Sequence, residues 1–228
     1  MALVNPFREL EGAPNVYTTG RTLMTVNAAR DKNVYGERLV EFGEVQYRSW
    51  DPTRSKLAAL MLLGGSYLGL GQSSRVLYLG AASGTTASHV SDIASSGIVY
   101  CVEVSPRSFR DLVGVCESRK NMIPIMADAS RPEDYSHMVE GVGLVYQDIA
   151  QRDQAEIFAR NMRHFEAERG ILMLKSRSVD VNRAPEDVYA DTRAELSSKG
   201  LKVREAVDIS RYAMDHAAFV VTRCARGS

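Results

Sequence analysis

The chain has 228 residues, 45% of them apolar and 25% charged, a balance that fits one α/β domain of ordinary size plus a small extra module. No apolar run approaches the roughly 20 residues of a membrane-spanning helix, and the N-terminus lacks a signal-peptide hydrophobic region, so an intracellular protein without a membrane partner is expected. Lys plus Arg and Asp plus Glu each number 28, which argues against strong autonomous binding to nucleic acid. A locally basic face, or a partner that supplies the positive charge, would still permit such binding. The three cysteines, Cys101, Cys116 and Cys224, show no C-x-x-C spacing; they read as small buried thiols rather than as a disulfide framework or a zinc site.

Short β-like segments, Val16–Thr19, Leu23–Val26, Leu39–Phe42 and Val45–Arg48, are punctuated by Gly12, Pro14, Gly20, Gly36 and Gly43. They predict an antiparallel module over residues 1–52, serving to cover one edge of the main domain or as a docking surface. The main domain is expected over 53–228. Trp50–Lys56 forms the hinge into it, and Ser55 is placed to cap a helix through Leu57–Leu62 that Gly64 and Gly65 stop. Lys56 then falls in the first turn of that helix, where the dipole disfavours a cation.

The run from Arg75 to Thr86 organises the rest. Val76–Leu79 reads as a buried parallel strand, and Gly80, Ala81, Ala82, Ser83 and Gly84 as a turn of little bulk whose N–H groups can approach a ligand. Thr85 and Thr86 open the next helix, reaching about Ala94. The turn is neither G-x-G-x-x-G nor a phosphate-binding loop ending in Gly-Lys-Ser/Thr, so a pyrophosphate ligand is disfavoured, whereas S-adenosylmethionine carries no phosphate.

Strands and helices then alternate. The strand Ile98–Val102 ends in Glu103, placed to accept from ribose hydroxyls; Ser105-Pro106 caps a helix to Glu117. Met122–Met126 is followed by Asp128, placed to accept from an adenine amine, and Arg131–Tyr135 reads as irregular. Val142–Gln147 leads to Asp148, helix 154–165 follows, and strand Ile171–Leu174 ends at Lys175. Helix 185–198 and strands 201–207 and 217–222 close the chain, the last two as an antiparallel hairpin across Ile209–His216. The pattern predicts a doubly wound, mostly parallel sheet with ligands outside its carboxyl edge, where Glu103, Asp128, Asp148 and Lys175 converge.

Five segments carry a family resemblance: Gly80–Asp92, Val102–Arg107, Val145–Gln151, Trp50–Ala59 and Asp215–Ala217. From about Leu39 onward the chain resembles fibrillarin in its archaeal form, without the Gly/Arg-rich tail of eukaryotic members. The resemblance implies a seven-stranded methyltransferase fold and transfer of a methyl group from S-adenosylmethionine to RNA ribose 2′-hydroxyls of rRNA or tRNA. It also implies a box C/D guide RNA, a Nop-family scaffold, a kink-turn-binding ribosomal-type protein, a cytoplasmic location and no metal. By the same resemblance Thr85, Thr86, Glu103, Val104, Asp128, Ala129, Asp148 and Gln151 surround the cofactor, and Lys56, Asp148, Lys175 and His216 form the catalytic group. Arg54, Arg107, Arg177 and Arg183 lie near the same edge as candidates for RNA phosphates.

Lys175, at the end of an apolar strand with Lys56 as a second cation, is expected to take the hydroxyl proton, with Asp148 fixing the geometry. His89, His137 and His164 read as ordinary helix and loop residues. A small-molecule O-methyltransferase and a non-catalytic subunit that keeps the fold are the competing readings; the paired lysines weigh against the first and the complete cofactor set against the second.

Overall fold

The computed structural model describes residues 6–20, 22–66 and 68–224. Its first part is a five-stranded antiparallel sheet built from β1 (Arg8–Leu10), β2 (Ala13–Thr18), β3 (Leu23–Val26), β4 (Leu39–Phe42) and β5 (Val45–Trp50), in the spatial order β1-β2-β3-β5-β4. The predicted segments are all present, and β1 is an addition that sequence pattern did not reveal.

The second part is a seven-stranded sheet. Its strands are β6 (Arg75–Leu79), β7 (Ile98–Glu103), β8 (Met122–Met126), β9 (Leu144–Gln147), β10 (Arg169–Lys175), β11 (Leu201–Asp208) and β12 (His216–Arg223), in the order β11-β12-β10-β9-β6-β7-β8. β6 to β10 run parallel, while β12 lies antiparallel between β10 and β11, so the closing pair is the expected hairpin. The helices are α1 (Lys56–Leu62), α2 (Thr85–Ile93), α3 (Pro106–Glu117), α4 (Pro132–Tyr135), α5 (Gln154–His164), α6 (Ser176–Val179) and α7 (Pro185–Ser198). The stretch expected to be irregular is therefore the helix α4, where Pro132 occupies the first turn, a position that needs no donor.

Side chains alternate across the sheet and divide the core in two. Val76, Tyr78, Tyr146, Ile171, Met173 and Ala218 pack with α1, α2 and α3. Leu77, Leu79, Val145, Leu172, Leu174 and Phe219 pack with α4, α5 and α7 on the other face. Cys101 and Cys116 are buried as expected, but Cys224 is exposed.

The small sheet is separate from the large one and pairs with neither of its edge strands. It lies against α2, joined by a buried ionic junction: Arg48 donates from Nε to Glu37 Oε1 at 2.8 Å and from Nη1 to Asp92 Oδ2 at 2.8 Å. Arg119 Nη1 reaches the other Asp92 oxygen at 2.5 Å. His89, read as an ordinary helix residue, is at the centre of this junction. Its ring stacks on Trp50 at 4.8 Å and meets the hydroxyls of Thr25 and Tyr35, each at 2.8 Å. Burial, with the charges of Arg48 and Arg119, holds its pKa well below the ordinary value, so the ring is neutral.

Candidate active site

Strand parity places the reactive residues. Asp148 follows Gln147 and so falls on the face of Tyr146; Lys175 falls on the face of Met173, and His216 on that of Ala218. All three therefore point toward the layer that contains α1, whose first residue is Lys56. Ser55 caps α1 and accepts from Ala58 N. The cation in the first turn now has its physical reason: Lys56 Nζ donates to both carboxylate oxygens of Asp148, at 2.8 and 2.7 Å. An ion pair across 92 positions offsets the unfavourable dipole.

Lys175 and His216 are opposite one another in the β10–β12 ladder. The turn before His216 is tied to the residue after Lys175, since the Asp215 carbonyl accepts from both Ser176 N and Ser176 Oγ, each at 3.0 Å. His216 Nδ1 lies 2.7 Å from the Met214 carbonyl. A carbonyl only accepts, so Nδ1 carries the proton and Nε2 presents a lone pair. Burial lowers the His216 pKa; the Lys56 and Lys175 charges add to that, against the Met214 carbonyl and Asp148. The ring is thus neutral near pH 7. The ammonium of Lys175, half-buried, makes no ion pair or hydrogen bond among the described residues. Beneath Asp148 the phenols of Tyr78 and Tyr146 are buried side by side, with ring centroids 4.4 Å apart, and burial pushes both upward in pKa so that they stay neutral.

Next to this group a cavity of about 220 Å³ opens at the carboxyl ends of β6 to β9. Gly80, Ala82, Glu103, Val104, Ala129, Asp148 and Gln151 line it, along with Val102, Ala127, Ile149 and Ala150. Asp148 thus belongs both to the cavity wall and to the charged group. Of the remaining residues expected at the cofactor, Ala81, Ser83, Gly84, Thr85 and Thr86 form the turn and helix start behind the wall. Thr86 Oγ1 donates to Ser55 Oγ at 3.0 Å and so ties the turn to α1. Asp128 lies between two lining residues. The Ser130 amide, donating at 2.8 Å, is the main reason its carboxyl sits below its ordinary pKa.

The turn departs from expectation in one respect. Most of its N–H groups are spent inside the protein: Gly80 N and Ala81 N both donate to the Val102 carbonyl, at 2.9 and 3.1 Å, and Gly84 N donates to Ala81 O at 2.9 Å. Ala82, at a φ of 48°, is strained for a residue with a side chain, and is held by donating to Glu103 Oε2 at 2.8 Å. Ser105 N donates to the other Glu103 oxygen at 2.7 Å. Gly80 cannot be replaced: a Cβ there would lie 2.3 Å from the Asp148 carbonyl. A turn with four of its five N–H groups spent, facing Glu103 and Asp148, is a poor anion cradle. It suits a ligand with ribose hydroxyls and a positive centre, which is the chemistry of S-adenosylmethionine.

The four arginines differ. Arg177 donates from Nε to Asp215 Oδ2 at 3.1 Å, and Arg183 from Nη1 to Asp191 Oδ2 at 2.6 Å. Arg54 lies 5.5 Å above the Tyr35 ring. Arg107 is exposed in the first turn of α3. Neither Arg54 nor Arg107 pairs with a carboxylate among the described residues.

Comparison with known proteins decides the family: the fibrillarin model matches residues 8–225. The chain belongs to the fibrillarin family. It is 47% identical over 218 residues to a fibrillarin-like rRNA/tRNA 2′-O-methyltransferase of Methanothermobacter thermautotrophicus, covering 95% of this chain and 97% of the relative. Aeropyrum pernix fibrillarin, solved with natively bound S-adenosyl-L-methionine, superposes with a TM-score of 0.88 at 38% identity, covering 97% of this chain and 100% of that one. A fibrillarin solved in complex with Nop5p gives a TM-score of 0.84 at 42% identity, covering 92% and 97%.

Two features of the family's fold here had no signal in the residue pattern. One is the ionic junction under His89, whose members are scattered in sequence. The other is Gln154, a buried helix residue bonded to the backbone of Lys175.

Proposed function

We infer that this chain is an S-adenosylmethionine-dependent RNA ribose 2′-O-methyltransferase acting on rRNA and tRNA. The observation that carries this reading is the double use of Asp148, which lines the cavity and also holds the Lys56 ammonium beside Lys175 and His216. Glu103 would hold the cofactor's ribose and Asp128 its adenine amine, with Val104 and Ala129 flanking the ring and Asp148 and Gln151 toward the sulfonium end. When bound, S-adenosylmethionine supplies an electrophilic methyl group. A ribose hydroxyl holds its proton too tightly at pH 7 to attack unaided, so a base and a positive field are both needed. Lys56, locked on Asp148, supplies a fixed charge. His216, its Nδ1 held by the Met214 carbonyl, orients the ribose beside Lys175. Lys175, which has no carboxylate partner among the described residues to hold it protonated, is the group we assign to take the proton: as the free amine its Nζ accepts the hydroxyl proton while the oxygen bonds the methyl carbon.

Neutral net charge supports a reading in which RNA is delivered by partners. We propose a Nop-family scaffold, supported by the relative solved with Nop5p, together with a box C/D guide RNA and a kink-turn-binding ribosomal-type protein, in the cytoplasm. Arg54, Arg107, Arg177 and Arg183 are the proposed phosphate contacts. Calorimetric titration with S-adenosylmethionine, beside a folded Glu103→Ala control, tests the cofactor site. Saturable binding that the control loses is the expected result. Absence of binding by the fully assembled particle at millimolar cofactor overturns the reading.

A further inference from the structure

β9 and β10 pair in parallel only as far as Gln147 opposite Leu172. Beyond that point the chain leaves the sheet to carry Asp148 to Lys56 and Ile149–Gln151 to the cavity. β10 nevertheless runs on through Met173 and Leu174 to Lys175, paired on its other side with β12. On the vacated side the backbone N–H and C=O of Lys175 have no strand to meet. The side-chain amide of Gln154 takes that place. Its Oε1 accepts from Lys175 N at 2.9 Å, and its Nε2 donates to Lys175 O at 3.1 Å. A primary amide has the same donor and acceptor as a peptide group, so these two contacts continue the lost ladder by one rung.

Gln154 is itself fixed. It is fully buried in the first turn of α5, and its main-chain carbonyl accepts from Gln147 Nε2 at 2.7 Å. Gln147 is the last residue of β9, so the side chains of the two glutamines bridge the gap that opens where Asp148 departs. One end of this bridge is one residue from Asp148; the other is bonded to the main chain of Lys175.

We propose that Gln154 is a positioning residue for Lys175: its amide sets the main-chain position from which the Lys175 side-chain amine reaches the reacting hydroxyl. The proposal rests on the reading of Lys175 as the group that takes the proton. It explains why a polar side chain is buried at this point, where an apolar residue would serve packing better. It also gives the two sides of the site, Asp148 just beyond β9 and Lys175 at the end of β10, a common reference where the two strands no longer pair.

The test uses Gln154→Met, which removes both contacts at similar volume, and Gln154→Glu, which keeps the acceptor toward Lys175 N and loses the donor to Lys175 O. In the full chain, amide hydrogen exchange at Lys175 is read against Leu172, which the intact ladder protects. The Lys175 amide is expected to be protected in the wild type, to exchange at least about tenfold faster in Gln154→Met, and to stay nearer the wild-type rate in Gln154→Glu. In the assembled particle with guide and target RNA, single-turnover methylation is expected to fall about 30-fold in Gln154→Met and less in Gln154→Glu, because small displacements of a reacting group cost up to about a hundredfold. The cofactor dissociation constant and the RNA concentration for half-maximal rate should stay within about twofold, a split that general loosening of the fold would not give.

An unprotected Lys175 amide in the wild type overturns the clamp without any variant, whether or not the variants fold. Full methylation rates in both variants, where the wild-type particle is active, overturn the positioning role. A wild-type particle that binds cofactor yet transfers no methyl group counts against the reaction assigned to the chain, and the exchange measurement still decides the clamp.

Discussion

Two groups of charged side chains lie on the same side of the large sheet, and they differ in how much of their bonding capacity is used. At the junction of the two sheets Arg48, Asp92 and Arg119 have fully buried side chains and Glu37 is nearly so. Asp92 alone accepts from Arg48, Arg119, Thr25 and the Ala28 amide. At the carboxyl edge the Lys56 and Asp148 side chains are 26% and 22% exposed, the Lys175 ammonium has no partner among the described residues, and His216 presents an open lone pair. A group in the interior whose donors are nearly all used, Arg119 Nε being the exception, resists change; an unsaturated one at a cavity mouth is ready for a substrate. Residue type and charge are alike in the two, so neither identifies the working site. Unused donors and acceptors that face a cavity do.

The sharpest way to break this contrast is to damage the saturated group. Arg48→Met removes the partner of two buried carboxylates and is expected to cost about 3–5 kcal/mol, because unpaired buried charges are expensive. Thermal unfolding should shift downward by about 10 °C for a chain of this size. At low temperature the folded fraction should still bind S-adenosylmethionine with wild-type affinity, as calorimetry would show. A large loss of cofactor affinity without loss of stability would mean that the junction serves the site directly.

The converse substitution belongs to the unsaturated group. Lys175→Met should lower single-turnover methylation by about a hundredfold or more, close to 3 kcal/mol of barrier, at saturating cofactor. Its unfolding temperature should move by less than about 2 °C, since no ion pair is broken. A rate within about threefold of wild type would remove Lys175 from the reaction.

These contrasts also explain what was legible beforehand. Glu103, Asp128, Asp148 and Lys175 could be read as one edge because each follows a recognisable apolar strand, and parallel strands bring their carboxyl ends together. Lys56 betrayed itself as a cation at the wrong end of a helix. His89 gave no such sign: it lies inside α2, and its partners are Thr25 and Trp50 from the other sheet and Tyr35 from the β3–β4 loop, 39 to 64 positions away in sequence. The spent N–H groups of the turn were likewise invisible, since Gly80–Gly84 has the same small residues whether its amides face a ligand or the Val102 carbonyl.

Acidification should separate the groups by a smaller margin. His89 binds a proton more weakly in the folded chain than in the unfolded one, because burial and two guanidinium charges oppose it. Below the ordinary histidine value of about 6.5 the unfolded chain therefore takes up the proton first, and stability falls as pH falls. His216 acts in the same direction. Denaturant titrations should lose about 1 kcal/mol for His89 alone between pH 6.5 and 5.5, with the loss continuing until the folded-state value is reached. His89→Gln should flatten that slope and leave the smaller share of His216. An unchanged slope would show that the junction tolerates a charged imidazole.

The smallest effect is expected among the arginines proposed for RNA phosphates, where the same distinction between used and unused capacity applies. Arg183 is exposed and already neutralised by Asp191, so it has little charge left to exchange for counterions on a phosphate. Arg54 is held over the Tyr35 ring with no carboxylate partner among the described residues, and its charge is available. Target-RNA binding to the assembled particle should weaken by about three- to fivefold in Arg54→Ala, with the slope of log affinity against log salt reduced by about one. Arg183→Ala should change affinity by less than about twofold and leave the salt slope as it was. If Arg183→Ala has the larger effect, Asp191 must release its partner when RNA arrives, and the ion pair is a resting contact of the free chain.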